Sequence, residues 1–145
     1  MMILNNRFAE VFLDTAYAIA LSASNDRFHR EAEALAIQME RDDTRIVTTR
    51  AILLEIGNAL SKQRYRQAAV ALLEALEADP HVEIVPISDE LFAQAFQLYR
   101  SRADKEWGLI DCLSFTVMQS RGISAVLTTD DHFRQAGFHV LLREP

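Results

Sequence analysis

Short apolar runs alternate with longer amphipathic stretches along the whole chain, and this alternation most constrains the fold. Val11-Phe12-Leu13 reads as a strand ending at Asp14, and residues 45–48, 82–87, 124–128 and 138–142 read the same way. Between them lie helical patterns. Asn25 or Asp26 is placed to cap a helix running to about residue 41, with Phe28, Ala32, Leu35, Ala36 and Met39 on one face. Thr49 is placed to cap a helix carrying Ile52, Leu53, Ile56, Ala59 and Leu60, and a further helix covers about residues 66–78 and stops before Pro80. Ser88 caps the next, whose apolar face carries Leu91, Ala95, Leu98 and Tyr99. Another runs from about Trp107 to Arg121, with Gly122 as its stop, and Asp130 or Asp131 opens a short one ending at Gly137. Such alternation implies an α/β fold: a mainly parallel central sheet with helices on both faces. The 145 residues fit one domain, and no linker or repeat divides them.

Parallel strands put their carboxyl ends on one edge of the sheet, where chemistry gathers in open folds of this kind. Four acids fall at that edge. Asp14 follows a strand that reads as buried, in VFLDTAYAIAL. Asp130 ends the strand AVLTT. Glu55 has Ala51, Ile52, Asn58 and Ala59 as helical neighbours, so it lies against an apolar stripe. Asp111 sits inside GLIDCLSFTVM with Trp107, Gly108, Ser114 and Phe115 around it. Charged groups are rarely placed in apolar settings unless they are paired or bind metal. Converging carboxylates repel unless protonated or neutralised by cations, and oxygen-only ligands select hard ions such as Mg²⁺ or Mn²⁺. An ion of that kind suits phosphodiester hydrolysis. Each acid also has a plainer reading. Asp14 can begin a turn, Glu55 can pair or reach solvent, Asp111 can answer a helix dipole, and Asp130 or Asp131 can cap a helix.

Other features exclude more than they assign. No apolar run approaches the roughly 20 residues a bilayer span needs. The start, MMILNNRFAEVFLD, lacks the layout of a secretory leader. The single cysteine, Cys112, excludes an internal disulfide and suits a reducing compartment, so the cytoplasm is the expected location. The formal charge of −6 counts against simple nonspecific nucleic-acid binding, and less against a nuclease whose acids hold metal. The histidines lack zinc-ligand spacing, and no P-loop or Gly-x-Gly-x-x-Gly pattern is present. A haloacid-dehalogenase-type phosphatase needs a second Asp two residues after the first, where Ala16 stands.

The segments VFLDTAYAIAL, ILLEIGNAL, DKEWGLIDCLSF and LTTDDHFRQAGF resemble, in order and over nearly the whole chain, the PIN-domain nucleases and especially the single-domain VapC-type toxins. The resemblance implies a Rossmann-like PIN fold and a metal-dependent endoribonuclease, the toxin of a toxin–antitoxin pair. It implies Mg²⁺ or Mn²⁺ as cofactor, an RNA substrate, a cognate antitoxin and a homodimer. By position Asp14, Glu55, Asp111 and Asp130 match the family's acidic site. Asn58 matches a polar position after the second acid, Thr128 and Thr129 match the polar strand end before the last, and Asp131 is an available substitute for Asp130. The family often has Ser or Thr among the two polar positions before its third acid, and here the stretch is Gly108-Leu109-Ile110-Asp111. That departure keeps an alternative open: a catalytically weak or silent PIN domain that binds RNA or protein. Lys62, Arg64 and Arg66, around Tyr65, form the densest basic stretch and are candidates for guiding an RNA backbone, with Tyr65 stacking on a base. The plainer reading there is a solvated helix junction.

Overall fold

The structure is a computed structural model and describes residues 8–142. The opening segment read above as lacking a leader lies, for residues 1–7, outside the described residues. Five strands and seven helices follow one another in the described residues: β1 Glu10–Leu13, α1 Thr15–Ser22, α2 His29–Asp42, β2 Arg45–Thr49, α3 Arg50–Ala59, α4 Gln63–Ala78, β3 Val82–Val85, α5 Asp89–Ser101, α6 Leu109–Arg121, β4 Ala125–Leu127, α7 Asp131–Gln135 and β5 His139–Val140.

The strands form one sheet in the order β3-β2-β1-β4-β5, and every pairing is parallel. Parallel strands need crossover connections, which the helices supply. α1 to α4 pack on one another, α5 packs on α6, and α6 on α7. Right-handed crossovers put these two groups on opposite faces. A central strand covered on both faces reads as a continuous apolar run. That is why Val11, Phe12 and Leu13 are all buried, although their side chains alternate between faces. Below one face Phe115 makes edge-on contacts at 5.0 Å with both Trp107 and Phe133, and lies 5.6 Å from Phe138. Burying one such ring contributes about 1.5–3 kcal/mol.

The local signals act largely as the sequence suggests. Thr49 accepts from the Ile52 N–H and Ser88 from the Leu91 N–H, each at the start of its helix. Gly122 ends α6 in the left-handed region at φ 68°, which carries no Cβ penalty for glycine. Several boundaries differ. The chain from Thr15 to Ser22 is a helix, α1, where the sequence showed no helical period. α2 begins at His29, because Asp26 Oδ1 accepts from the Phe28 N–H in a turn ahead of it. α4 begins at Gln63 rather than 66, and α6 at Leu109 rather than Trp107, whose indole N–H donates to Gln135 Oε1 instead. β3 stops before Pro86, which has no N–H for a ladder. β4 and β5 are shorter than expected, each trimmed at both ends.

Candidate active site

The sheet order reverses at β1 and β4, which pair with each other through Phe12–Val126 and Leu13–Leu127. A crevice opens beyond strand ends at such a switch point. Asp14 follows β1 there. It is the N-cap residue of α1, yet its side chain makes no capping bond. Its Oδ2 accepts instead from Thr128 Oγ1, 2.7 Å away at the end of β4. Thr128 Oγ1 accepts in turn from the Asp130 N–H at 3.0 Å. Thr128 is fully buried, and Asp14 is only 7% exposed.

Glu55 arrives from α3, in the second turn after β2. Its Oε1 accepts a short hydrogen bond from Thr15 Oγ1, the residue beside Asp14. Asp111 comes from the first turn of α6. Its Oδ2 accepts from the Gly108 N–H at 3.0 Å, and His132 Nδ1 lies 3.0 Å from the same oxygen. Asp130 is the N-cap of α7, and its Oδ1 accepts from the His132 N–H at 2.9 Å. The ligand atoms of Asp111, Asp130 and His132 all lie within 4.8 Å of one another.

Burial drives the Asp14 carboxyl from its ordinary 3.8 up to about 7. The Thr128 hydroxyl and the Thr15 N–H pull it down, and the negative charges of Glu55 and Asp111 push it up again. Those couplings bring the carboxylates of two helices, Glu55 on α3 and Asp111 on α6, within electrostatic reach of the one at the end of β1. Hard oxygen donors gathered around a carboxyl that resists ionisation fit a divalent cation, which removes both the repulsion and the burial penalty.

The other residues singled out from the sequence lie less centrally. Asn58 is exposed on α3, one turn beyond Glu55. Thr129 is half-buried beside Asp130. Asp131 is exposed and pairs with Arg134 at 2.6 Å. Lys62, Arg64 and Arg66 are exposed at the start of α4, beyond the end of α3, the helix that carries Glu55. Arg66 donates to Ser61 O at 2.6 Å, and Arg64 covers the Tyr65 ring at 4.7 Å, so that face of the ring is not open to a base. Two residues escaped notice in the sequence. Thr15 was passed over as an ordinary neighbour of Asp14. His132 stood out only as one of the histidines without zinc-ligand spacing, because only the tertiary approach of α6 to α7 shows what its ring meets.

The PIN domain family model matches residues 11–139. The chain belongs to the PIN domain family. Among curated proteins, the 23S rRNA-specific endonuclease VapC20 of Mycobacterium tuberculosis is 27% identical over 128 residues, which cover 88% of this chain and 95% of that protein. The crystal structure of Mycobacterium tuberculosis VapC20, a sarcin-ricin loop cleaving toxin, matches this PIN domain with a TM-score of 0.79 and 26% identity, over 88% of this chain and 95% of that one. VapBC2 from Rickettsia felis, bound to a DNA fragment from its promoter, matches with a TM-score of 0.63 and 14% identity over 90% and 96% of the two chains. FitAcB from Neisseria gonorrhoeae matches with 0.64 and 18% over the same shares. At those lower identities the likeness is one of fold. No helix among the described residues of the PIN domain is long and apolar enough to cross a membrane.

Proposed function

We propose that this PIN domain is a metal-dependent endoribonuclease, the toxin of a toxin–antitoxin pair, with Asp14, Glu55, Asp111 and Asp130 as its metal-holding acids. The observation that carries this reading is Asp14: a buried carboxylate, held by Thr128 and crowded by Glu55 and Asp111, at the sheet's switch point. Its relative in Mycobacterium tuberculosis is a 23S rRNA-specific endonuclease, which makes structured RNA the substrate of choice. A Mg²⁺ or Mn²⁺ ion held by these acids would neutralise phosphate oxygens and acidify a water. The chain's own groups do the rest. Thr128, Thr15, Gly108 and His132 orient the carboxylates, and the Gly108 N–H supports Asp111 although the stretch before that acid carries no hydroxyl. In this reading Asn58, Thr129 and Asp131 support the acid group, and Lys62, Arg64 and Arg66 guide the RNA backbone toward it.

Two protein partners belong to this reading. A cognate antitoxin would find an apolar groove of about 480 Å³ between α1, α2 and α4, lined by Tyr17, Leu21, Met39, Leu72 and Leu76. A second copy would cover Phe92, Phe96 and Tyr99, which stack along the solvent face of α5.

The test is cleavage of a structured RNA by the purified protein with Mg²⁺ or Mn²⁺. Cutting should vanish in EDTA and with Asp14→Asn. Undiminished cutting in EDTA would sink the metal mechanism, and no cutting under any metal would leave a binding module.

A further inference from the structure

His132 meets both of the acids that come from the last third of the chain. Its backbone N–H donates to Asp130 Oδ1 at 2.9 Å. Its ring Nδ1 lies 3.0 Å from Asp111 Oδ2 and 3.5 Å from Asp130 Oδ1. Carboxylates only accept, so Nδ1 carries the proton in this arrangement. Asp111 Oδ2 thus takes two N–H donors, from Gly108 and from the ring, while hydrogen bonds among the described residues leave Asp111 Oδ1 and Asp130 Oδ2 unengaged. The acids stand on different helices, and 21 residues separate Asp111 from His132. The ring is one third exposed and makes no contact with another aromatic ring among the described residues.

Resting on the nuclease reading above, we propose that His132 is a positioning residue: its Nδ1–H fixes the Asp111 carboxylate against Asp130, so that each presents its other oxygen to one divalent cation. The imidazole then acts beside the cation and not as one of its ligands. Groups of this kind orient ligands, and their loss typically costs about 10–100-fold in metal affinity or activity.

The chemistry of the ring supplies a discriminating set of variants. The side-chain nitrogen of Asn stands at the same bond distance from Cβ as Nδ1, and that of Gln stands where Nε2 does. The experiment is a Mn²⁺ titration of the purified protein, read by the electron paramagnetic resonance of free Mn²⁺, for wild type, His132→Ala, His132→Asn and His132→Gln. Melting curves without metal check the fold of each. His132→Ala and His132→Gln should bind Mn²⁺ about tenfold more weakly or worse, and His132→Asn should recover most of the affinity. Pulsed resonance on wild-type protein loaded with Mn²⁺ should show no directly bound nitrogen, a readout that does not depend on any variant folding. Equal affinity in His132→Ala, or a bound nitrogen in the wild type, overturns the positioning role and leaves the nuclease reading standing. A wild-type protein that binds no Mn²⁺ overturns both.

Discussion

Thr128 Oγ1 donates to Asp14 Oδ2 at 2.7 Å and so ties together the ends of neighbouring strands 114 residues apart in the chain. The same oxygen accepts from the Asp130 N–H, so one hydroxyl sets the spacing between the first acid of the site and the last. Thr128→Val keeps the shape and removes both bonds. It should cost about 1–3 kcal/mol, measured by denaturant unfolding, because the buried Asp14 carboxyl and the half-buried Asp130 N–H lose their partner. It should also raise the Asp14 pKa further, since this hydroxyl is what most opposes the rise.

Asp14 makes the metal-free protein lose stability as pH rises from about 4 to 7. Unfolded, the group titrates near 3.8, and folded near 7. Below about pH 4 it is protonated in both states, and its favourable contribution is whole. From there to pH 7 only the folded state keeps the proton, and the contribution drains away as pH rises through the folded value. The difference between the two states corresponds to up to about 4 kcal/mol. Asp14→Asn, a neutral isostere that can still accept from Thr128, should therefore raise the melting temperature at pH 8 by several degrees and leave it nearly unchanged at pH 4. An equal effect at both pH values would show that the carboxyl is not the cause.

Metal binding should compete with that proton. Mn²⁺ affinity, followed calorimetrically, should fall about tenfold for each pH unit below 7 and level off above it. Binding at pH 6 should release close to one proton, seen as a dependence of the heat on buffer ionisation enthalpy. A flat profile from pH 5 to 8 would remove Asp14 from the set of ligands.

The ladder on α5 is testable by its oligomeric state. Phe92, Phe96 and Tyr99 are each more than 40% exposed, with successive ring centres 6.3 and 6.4 Å apart. Sedimentation should give a dimer for the wild type and a monomer for Phe96→Glu, with the melting transition of the isolated fold retained. A wild-type monomer at tens of micromolar would dismiss this face as a self-association surface.

The strand carrying Asp14 was legible because a buried parallel strand must be apolar at every position, and VFL is. The caps at Thr49 and Ser88 and the stop at Gly122 were legible because their chemistry is local. α1 was not. Its sequence TAYAIALS is apolar on all sides, with Thr15, Tyr17, Ala18 and Ala20 buried, so it presents no period for a reading to detect. The four acids stood out by their settings, whereas Thr15 and His132 did not. A threonine beside an aspartate looks ordinary until α3 brings Glu55 onto its hydroxyl, and a histidine two residues past an N-cap looks ordinary until α6 arrives. Tyr99 erred in the other direction: helical period alone placed it on the apolar face, but it stands with Phe92 and Phe96 on the solvent side of α5, 46% exposed.

The order of the strands has a consequence in time. β1 at the centre waits for β4, and Asp14 meets Thr128 only after more than a hundred further residues have been made. Pairing so distant in sequence is slow to form and comes late in folding. A nascent chain that has emerged through α5 holds Asp14 and Glu55 but neither Asp111 nor Asp130. Synthesis itself therefore delays the gathering of the four acids, and a chain interrupted before β4 lacks both Asp130 and the Thr128 hydroxyl that holds Asp14.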